Sequence, residues 1–365
     1  MVRVCIDTPV LYNFPMEKDE PLISLVIATL NSESKLPNTL DSIKKQNYPQ
    51  DKLEILLMDG GSTDKTKEIA EKYGCRIIHN PKVVPAWAKY LAYLEAKGDY
   101  AIYIDSDEVI ENDNSLRLKL KAFQENPNVR AVTGSGYKNP DGYPFLNNYV
   151  NEFGDPFSFF IYRLSKDYRY FIDSMKKNYT VIKENNDYVI FDFSNTKKLP
   201  IFELVAMSSM VDLKYLKQNF PEIKDGPGLI PHLFNLLLSK GSYIGITKND
   251  AVIHYSSETM EKYYGKIRSR VKNNIFTPAD EGYRGRDSYE TRLGKLKKYL
   301  FVPYAFSIIF PLIDAIYLAV TRKNWGYLSH VKLTVYTAYQ ILYFYVMKLT
   351  GKTPELKSYG EFKKV

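Results

Sequence analysis

Residues 22–30 read LISLVIATL, a continuous apolar run that is rich in β-branched residues. Such a run is typical of a strand that is buried on both faces of a sheet. Three further runs of this kind follow, and a segment with helical spacing separates each run from the next. The runs are LEILLMDGGSTD (residues 53–64), CRIIHN (75–80) and YAIYID (100–105), and the helical segments are residues 32–47, 65–74 and 85–98. The βαβαβαβ order of the first 110 residues predicts a parallel, doubly wound sheet.

The composition of the 365-residue chain is that of a globular protein, with 45% apolar and 25% charged residues. Its two cysteines, Cys5 and Cys75, exclude a disulfide framework and favour a reducing compartment. Basic residues contribute to the net charge of +8, and many lie at 266–274 and 292–300, just before the most apolar segments. This arrangement favours binding to anionic lipid headgroups. No recognisable nucleic-acid-binding module accompanies the basic residues, so we expect no nucleic-acid partner.

Polar residues gather at the predicted carboxyl ends of three strands. They are Thr29 and Asn31 after the first strand, Asp59, Gly60 and Gly61 after the second, and Asp105 and Asp107 after the fourth. Ligands of doubly wound sheets bind beyond this edge. Asp105 and Asp107 form an Asp-x-Asp pair, and carboxylates suit Mg²⁺ or Mn²⁺ that is held jointly with substrate phosphates. The sequence therefore predicts a binding site for a phosphorylated ligand and a divalent cation.

The last part of the chain contains two apolar segments, residues 300–320 and 331–347. Each approaches the length of about 20 residues that is needed to span a bilayer. Asp314 is the single charge in the first segment, and Arg322 and Lys323 lie in the loop between the two. Three arrangements remain open: two spanning helices, a pair that lies in or re-enters the interface, and two buried helices of a soluble domain. We expect the segments to associate with a membrane.

Four stretches, ISLVIATLN, EILLMDGGSTDKT, AKGDY and YIDSDE, resemble in order and spacing the family 2 glycosyltransferases with the GT-A fold. The resemblance is strong over roughly residues 20–115 and can be traced to about residue 255. It implies an inverting transferase that uses a nucleotide-diphosphate sugar, of the UDP or GDP type, with Mn²⁺ or Mg²⁺ as cofactor. The Q-x-x-R-W signature of processive synthases is absent, which favours the addition of a single sugar.

The resemblance also implies roles for residues at matching positions. Those predicted to bind the nucleotide sugar are Thr29, Asn31, Glu33, Asp59, Gly61, Lys89, Asp105 and Ser106. Asp107 is predicted to hold the metal against the diphosphate, with Asp105 and His254 as further metal-site residues. The basic residues Lys266, Arg268 and Arg270 are candidates for binding the diphosphate or a lipid phosphate.

Two positions depart from the family pattern. The family usually has an Arg-Asn pair before the fourth strand, and Lys89 and Tyr90 stand there in this chain. Relatives that glycosylate hydroxyl groups often carry Glu-Asp at the start of a helix that resembles residues 231–241, where this chain is apolar. Asp225 is therefore our candidate catalytic base, and Glu222 and Glu203 are weaker candidates. A phosphate acceptor is already ionised at neutral pH and needs no base, whereas a sugar hydroxyl does.

These inferences give a predicted architecture: an α/β protein of GT-A type (Rossmann-like, doubly wound, mostly parallel sheet) with two C-terminal hydrophobic membrane helices. Later in the GT-A domain we expect a strand at 129–137, a hairpin that turns at Asn185–Asn186, and a helix at 231–241. The predicted divisions begin with an extension at 1–20 and a GT-A domain at 21–255, which consists of a nucleotide-sugar half (21–115) and an acceptor half (116–255). A basic juxtamembrane segment at 256–298, membrane-associated or transmembrane helices at 299–349 and a tail at 350–365 follow.

We expect the chain to move one sugar to a lipid-linked (polyprenyl or dolichyl) saccharide in glycan assembly. The expected location is the cell membrane, with the catalytic domain on the cytoplasmic side, where nucleotide sugars are made. One alternative is a polyprenyl-phosphate sugar synthase. An alternative of another class is a catalytically silent GT-A domain that serves as a membrane scaffold.

Overall fold

The computed structural model describes residues 20–196, 200, 202, 204–276 and 292–354, with the backbone alone at 292–294. The strands of this part are β1 (Ile23–Thr29), β2 (Leu53–Asp59), β3 (Arg76–His79), β4 (Tyr100–Asp105), β5 (Glu108–Ile110), β6 (Val129–Thr133), β7 (Gly136–Lys138), β8 (Thr180–Glu184), β9 (Tyr188–Asp192), β10 (Ser209–Asp212), β11 (Tyr243–Thr247) and β12 (Ala251–His254). The α-helices are α1 (Leu36–Lys44), α2 (Thr66–Lys72), α3 (Pro85–Glu95), α4 (Ser115–Gln124), α5 (Phe145–Phe153), α6 (Pro156–Tyr162), α7 (Phe171–Lys176), α8 (Leu213–Asn219), α9 (Leu233–Ser239), α10 (Met260–Phe276), α11 (Arg292–Tyr299), α12 (Phe301–Phe306), α13 (Ile309–Thr321) and α14 (Ser329–Leu349).

A nine-stranded sheet with the order β3-β2-β1-β4-β10-β6-β11-β9-β8 forms the centre of the molecule. The first four strands in this order are all parallel, as the alternation of the sequence predicts. Beyond β4 the sheet is mixed, because β10 runs antiparallel to both of its neighbours and β11 pairs with β6 in parallel. The predicted hairpin is the antiparallel pair β8–β9. A separate sheet of three strands has the order β5-β12-β7.

Strand β1 is apolar on both faces because helices cover both faces of the sheet. Leu25 and Ile27 pack with Leu40 of α1 on one face. Val26 packs with Tyr93 of α3 on the other face. Alternate residues of a strand point to opposite faces, so a strand between two helical layers needs an apolar residue at nearly every position.

The predicted apolar segment 300–320 is two helices rather than one. The helical stretches Lys295–Phe306 and Ile309–Thr321 meet at an angle of 89°. Ile308 adopts a φ of 58° at the break. Pro311 follows three residues later, and a proline lacks the N–H that would donate to the carbonyl of Ser307 four residues earlier. Among the described helices, none alone has both the length and the apolar content of a membrane span, whereas this bent pair meets those criteria when its two halves are taken together.

The helices α12, α13 and α14 pack on the rest of the described chain through α5 and α6. Tyr149, Phe153 and Phe159 share one apolar cluster with Tyr327 and Leu333. A second cluster joins residues of α6 to α12 and α14. Residues of the predicted segments 21–255 and 299–349 therefore share two apolar clusters. Most of the predicted extension at 1–20 and the tail beyond residue 354 lie outside the described residues.

Candidate active site

The carboxyl ends of β1, β2 and β4 lie side by side. Thr29, the last residue of β1, pairs in register with Asp59 of β2. Ala28 pairs with Asp105 at the end of β4. Because the three strands are parallel neighbours, the polar residues that follow them lie at one edge of the sheet. This is the position at which ligands bind in open α/β sheets.

Asp59 shapes the turn after β2. Its buried carboxylate accepts hydrogen bonds from the backbone N–H of Gly61 and of Ser62, each at 3.0 Å, and from Ser62 Oγ at 2.5 Å. Gly61 has a φ of 91°, a backbone conformation that residues other than glycine rarely adopt. Thr29 Oγ1 next to this turn is buried and has no hydrogen-bond partner. A buried hydroxyl without a partner is uncommon, and a bound ligand would satisfy it.

The predicted nucleotide-site residues Asn31 and Glu33 connect the loop after β1 to the loop after β2. Asn31 Oδ1 accepts from the backbone N–H of Thr63 at 2.9 Å. Glu33 Oε2 accepts from the backbone N–H of Lys65 at 3.0 Å. Asn31 has a φ of 46°, a left-handed conformation that asparagine tolerates better than most residues. The two side chains therefore fix the shape of this edge of the sheet.

Lys89 is paired with the first aspartate of the Asp-x-Asp motif. Its Nζ lies 3.1 Å from Asp105 Oδ1, and its side chain is 5% exposed, whereas that of Asp105 is 36% exposed. Ser106 is buried, and its hydroxyl lies 3.0 Å from that of Ser32 in the loop after β1. Lysine at this position supplies the charge of an arginine without its two-pronged geometry.

Asp107 lies beside His254. The two approach each other because β5, which follows the motif, pairs with β12, which ends at His254. Asp107 Oδ1 is 3.7 Å from His254 Nε2, and His254 Nδ1 is buried without a hydrogen-bond partner. Burial lowers the pKa of His254, Asp107 raises it, and the positive charge of Lys266 lowers it again. His254 is therefore a largely buried imidazole that faces a carboxylate.

Helix α5 supports this histidine from behind. The side-chain amides of Asn147 and Asn151 both donate to the carbonyl of His254, at 2.8 Å and 3.1 Å. Lys266 of α10 donates to the carbonyl of Ser256 at 2.5 Å. These contacts fix the chain on both sides of His254.

The other two predicted basic residues of α10 contact different parts of the molecule. The Arg268 guanidinium lies 5.6 Å and 5.7 Å from the ring centres of Tyr343 and Phe344 in α14. Arg270 Nη1 lies 3.5 Å from Asp155 Oδ2 at the start of α6. Of the three predicted phosphate-binding residues, Lys266 is therefore the one whose charge acts on His254.

Two of the three candidate bases, Glu222 and Asp225, lie in the short 3₁₀ turn Pro221–Asp225, and both are exposed. The hydroxyl of Tyr90 donates to the carbonyl of Lys224 at 2.6 Å, which fixes the turn against α3. Burial raises the pKa of Tyr93 to about 12, and the charge of Glu222 adds to this rise. Helix α9 has no acidic residue in its first turn. Glu203 lies outside the described residues.

Glu108 is a residue of this site that the sequence did not indicate. It is fully buried and accepts hydrogen bonds from Tyr137 Oη at 2.7 Å, from the Met207 N–H at 3.2 Å and from the Asp105 N–H at 3.1 Å. Burial and the neighbouring charge of Asp105 raise its pKa to about 8. A carboxylate at the start of the otherwise apolar strand β5 is the signal that could have revealed it.

Lys35 was also missed, because it lies in a loop without a motif. Its Nζ donates to the carbonyl of Tyr255 and lies 3.7 Å from Glu258 Oε1. Lys35 and Lys266 therefore hold the segment after His254 from two sides. Both ammonium groups lower the pKa of His254, and both would attract an anionic ligand.

Asp107 and His254 fit a divalent cation only together with other ligands. Within the described residues, no three His, Cys, Asp or Glu side chains converge to hold a metal by themselves. A carboxylate oxygen and an imidazole nitrogen suit Mn²⁺ or Mg²⁺, which usually keep several positions for substrate phosphates and water. The residues present therefore fit a cation that arrives with a phosphorylated ligand.

The first part of the chain matches a known protein family. Residues 24–190 match the model of "Glycosyl transferase family 2". This region is therefore similar to a family 2 glycosyltransferase domain. The match begins within β1 and ends within β9. It includes every predicted nucleotide-site residue and confirms the family 2 resemblance seen in the four sequence stretches. The inverting reaction and the association with a membrane are separate matters and remain predictions.

Curated relatives match this chain over shorter stretches. It is 32% identical over 98 residues to a poly(ribitol-phosphate) β-N-acetylglucosaminyltransferase, TarS, of Staphylococcus aureus, which covers 25% of this chain and 17% of that protein. It is 31% identical over 122 residues to a dolichyl N-acetyl-α-D-glucosaminyl phosphate 3-β-D-2,3-diacetamido-2,3-dideoxy-β-D-glucuronosyltransferase of Methanococcus voltae, over 31% of this chain and 38% of that protein. In both cases the match spans well under two thirds of the relative.

A solved structure resembles this chain over most of its length. It is the mannosyltransferase PcManGT of Pyrobaculum calidifontis in complex with GDP-Man and Mn²⁺. The two chains are 14% identical, with a TM-score of 0.53 over 90% of this chain and 88% of the other. At this identity the likeness is one of fold, and it includes the region beyond the family 2 domain.

Proposed function

We propose that this chain transfers one sugar, with inversion and with the help of a divalent cation, from a nucleotide-diphosphate sugar to a lipid-linked saccharide. The observation that carries the proposal is the convergence of Asp105, Asp107, Lys89 and His254 at the carboxyl edge of a family 2 domain. A UDP-sugar or a GDP-sugar would supply the nucleotide diphosphate.

Each residue of the site has a part in this reaction. Loss of the nucleotide diphosphate places negative charge on the leaving group, and a divalent cation supplies charge stabilisation to such a group. Asp107 and His254 are the side chains that would hold it. Lys89 restrains Asp105 toward the ribose or the sugar, and Thr29 Oγ1 offers a hydroxyl to the nucleotide.

Two lysines add positive charge on the diphosphate side. Lys35 and Lys266 lie next to the segment that follows His254. Fixed positive charges near a developing negative charge lower the barrier because they need no reorganisation during the reaction. The acceptor would approach from the opposite face of the sugar, which inverts the anomeric centre.

The lipid-linked acceptor and the membrane location are supported by two features. The relative from Methanococcus voltae acts, by its name, on a dolichyl-linked sugar phosphate. The helices α11 to α14 expose many large apolar side chains. An acceptor presented at a membrane surface is compatible with both, and the cytoplasmic face is the side on which nucleotide sugars are available.

A second candidate, a polyprenyl-phosphate sugar synthase, is favoured by the weak signal for a base. The first turn of α9 contains no acid, and Asp225 and Glu222 are exposed in a neighbouring turn. A hydroxyl acceptor needs a base to take its proton, whereas a phosphate acceptor is already ionised. If Asp225 serves as the base, Asp225→Asn should lower transfer to a saccharide and leave donor binding unchanged.

A transfer assay distinguishes the candidates. Purified full-length chain with Mn²⁺ and a panel of radiolabelled UDP- and GDP-sugars would be given either polyprenyl phosphate or a polyprenyl-linked saccharide. We expect labelled lipid only with the saccharide acceptor. Label on bare polyprenyl phosphate would identify the synthase instead, and absence of product and of donor binding with every sugar would support the silent scaffold.

A further inference from the structure

The C-terminal helices carry most of the exposed apolar surface of the molecule. Of the 24 large apolar side chains that are exposed in the described part of the chain, 20 lie between Leu296 and Leu349. We call this set the apolar face. Its centre is α13, where Ile309, Phe310, Ile313, Tyr317 and Val320 are each more than half exposed. So many exposed apolar side chains in one part of the chain are uncommon on soluble monomers and indicate a binding surface.

The charges around the apolar face are almost all positive. Residues 292–354 contain nine lysines and arginines and one acid, Asp314. Asp314 is already paired, because Arg163 Nη1 lies 2.5 Å from its Oδ1 and Tyr304 Oη donates to its Oδ2 at 2.6 Å. Anionic lipid headgroups complement such a surface, and basic residues near a membrane strengthen binding to them.

Aromatic residues add a second property of a membrane interface. Trp325 is 68% exposed, and Tyr299, Tyr317, Tyr339 and Tyr345 are each more than half exposed. Tryptophan and tyrosine are enriched at the level of the headgroups, because their rings are apolar and their N–H or O–H group is polar. A surface that meets a second copy of the chain has no such need for a basic and aromatic fringe.

Helix α13 is attached to the rest of the chain at its middle and just after its end. In its middle, Asp314 is paired with Arg163, which follows α6. After its end, Arg322 Nε lies 3.0 Å from Oε1 of Glu152 in α5. Glu152 is fully buried, so its charge depends on this partner. The helix therefore lies flat across the domain.

The loop between α13 and α14 is also packed on the domain. Tyr327 Oη donates to Glu152 and accepts from Asn148 at 3.1 Å. The Cα of Gly326 is so close to the ring of Phe145 that an added Cβ would lie 2.5 Å from it. A hairpin that spanned a bilayer would place this loop about 30 Å away, beyond the hydrocarbon core. The contacts with α5 hold it on the same side as the active site.

We propose that the chain binds one leaflet of a membrane in plane through the apolar face, without crossing the bilayer. The apolar face binds a lipid surface that contains anionic headgroups. The bent pair α12–α13 and the outer side of α14 enter the leaflet, while the loop 322–328 stays on the side of the catalytic domain. This extends the membrane part of the proposed function, and its tests measure membrane binding without sugar transfer, so the two can fail separately.

Flotation with lipid vesicles tests whether the apolar face binds anionic lipid. Full-length chain would be mixed with vesicles of phosphatidylcholine alone or with added phosphatidylserine, and floated through a density gradient. Ile316→Glu on α13 and Ile182→Glu on the edge strand β8 form a matched pair, because these isoleucines are 45% and 44% exposed. We expect flotation with the anionic vesicles, at least tenfold weaker partition for Ile316→Glu, and no change for Ile182→Glu.

Two outcomes of this experiment would overturn the proposal. One is equal flotation of the two variants. The other is absence of flotation together with a dimer in size-exclusion chromatography that Ile316→Glu prevents, which would assign the apolar face to a second copy of the chain.

Labelling of introduced cysteines tests whether the chain crosses the bilayer. Lys323→Cys lies in the loop between α13 and α14, and Lys67→Cys lies on α2, and both lysines are exposed. Sealed vesicles would be prepared from expressing cells in the orientation in which position 67 is accessible from outside. They would be treated with a maleimide that does not cross membranes, and the masses of the peptides would show which cysteines have reacted. We expect both positions to react without detergent. Reaction at 323 only after detergent is added would show a spanning hairpin.

Discussion

At the scale of single residues, the pairing of Lys89 with Asp105 controls the charge of the active site. Without the ammonium group, Asp105 would lose the positive charge that faces its carboxylate at the place where the diphosphate would bind. We predict that Lys89→Met weakens binding of the nucleotide sugar by about tenfold or more, equivalent to about 1.4 kcal/mol. Lys89→Arg keeps the charge and should retain more of the affinity.

Calorimetric titration of the donor into the two variants checks this prediction. Lys67→Met, a change of an exposed lysine on α2, is the control for a general loss of positive charge. Unchanged donor affinity in Lys89→Met would show that Asp105 does not need this partner.

The sequence indicated Asp105 and Asp107 because their position after an apolar strand is a local signal. Glu108 gave only a faint signal, because its burial depends on residues that are distant in the chain. Tyr137 and Met207, which donate to it, lie 29 and 99 positions away. Lys35 likewise acquires its place only when the loop after β1 meets the segment after β12. Tertiary contacts of this kind cannot be read from spacing in one sequence.

At the scale of elements, a fully buried ion pair joins α4 to the turn before β12. Lys119 Nζ lies 2.5 Å from Asp250 Oδ2, and both side chains are inaccessible. Removal of one partner leaves a buried charge without compensation, so we predict that Lys119→Met lowers the free energy of unfolding by about 3–5 kcal/mol. Lys121→Met, a change of a neighbouring, half-exposed lysine, should cost about 1 kcal/mol or less.

Urea unfolding of the two variants measures this difference. Because β12 ends at His254, Lys119→Met should also weaken donor binding more than Lys121→Met does. Equal stability of both variants would show that the pair does not hold β12 in place.

The contact of α14 with α5 and α12 depends on pH through His330. Its Nδ1 lies 2.6 Å from Tyr149 Oη and its Nε2 lies 3.1 Å from Tyr304 Oη, with Asp314 and Arg163 nearby. Burial lowers the pKa of His330 from 6.5 to about 4. A lowered pKa means that the folded state favours the neutral ring, so stability is complete above pH 6.5 and decreases as the pH falls toward 4.

We therefore predict that His330 accounts for a loss of about 3 kcal/mol in the free energy of unfolding between pH 6.5 and 4. Thermal unfolding across this range, for the natural chain and for His330→Gln, measures the effect. The variant should show a flatter dependence on pH. An identical pH dependence for both proteins would mean that a group other than His330 controls the loss of stability at acidic pH.

The order of the first four strands could be predicted because each βα unit is local. Strand β10 could not, since it inserts between β4 and β6 from about 100 residues further along the chain. The apolar segment 300–320 was predicted as one piece, and its prolines Pro303 and Pro311 indicate a kink in it without giving the size of the bend. The broken hydrogen bond at Pro311 and the packing on α6 decide the bend.

At the scale of the whole molecule, the C-terminal helices and the GT-A domain form one folded unit. Tyr149, Phe153 and Phe159 are buried against residues of the last helices, and buried Glu152 is paired with Arg322. We predict that deletion of residues 292–365 lowers the thermal midpoint or makes the chain insoluble, since it exposes these rings and leaves Glu152 unpaired. Thermal unfolding of the truncated chain, with a cut after residue 354 as the control, measures this. A truncated chain with an unchanged midpoint would show that the helices are a separate anchor.

The central claim is that the Asp-x-Asp edge of the sheet binds a nucleotide-diphosphate sugar together with a divalent cation. The most direct measurement is donor binding and sugar transfer by the natural chain and by Asp107→Asn, each with and without Mn²⁺. Asp113→Asn, a change of an exposed acid in the following loop, is the matched control.

We predict Mn²⁺-dependent binding and transfer in the natural chain and in Asp113→Asn, and a fall in transfer of about 100-fold or more in Asp107→Asn. Transfer by Asp107→Asn that remains equal to that of the natural chain, with the same dependence on Mn²⁺, would contradict the assignment of this site.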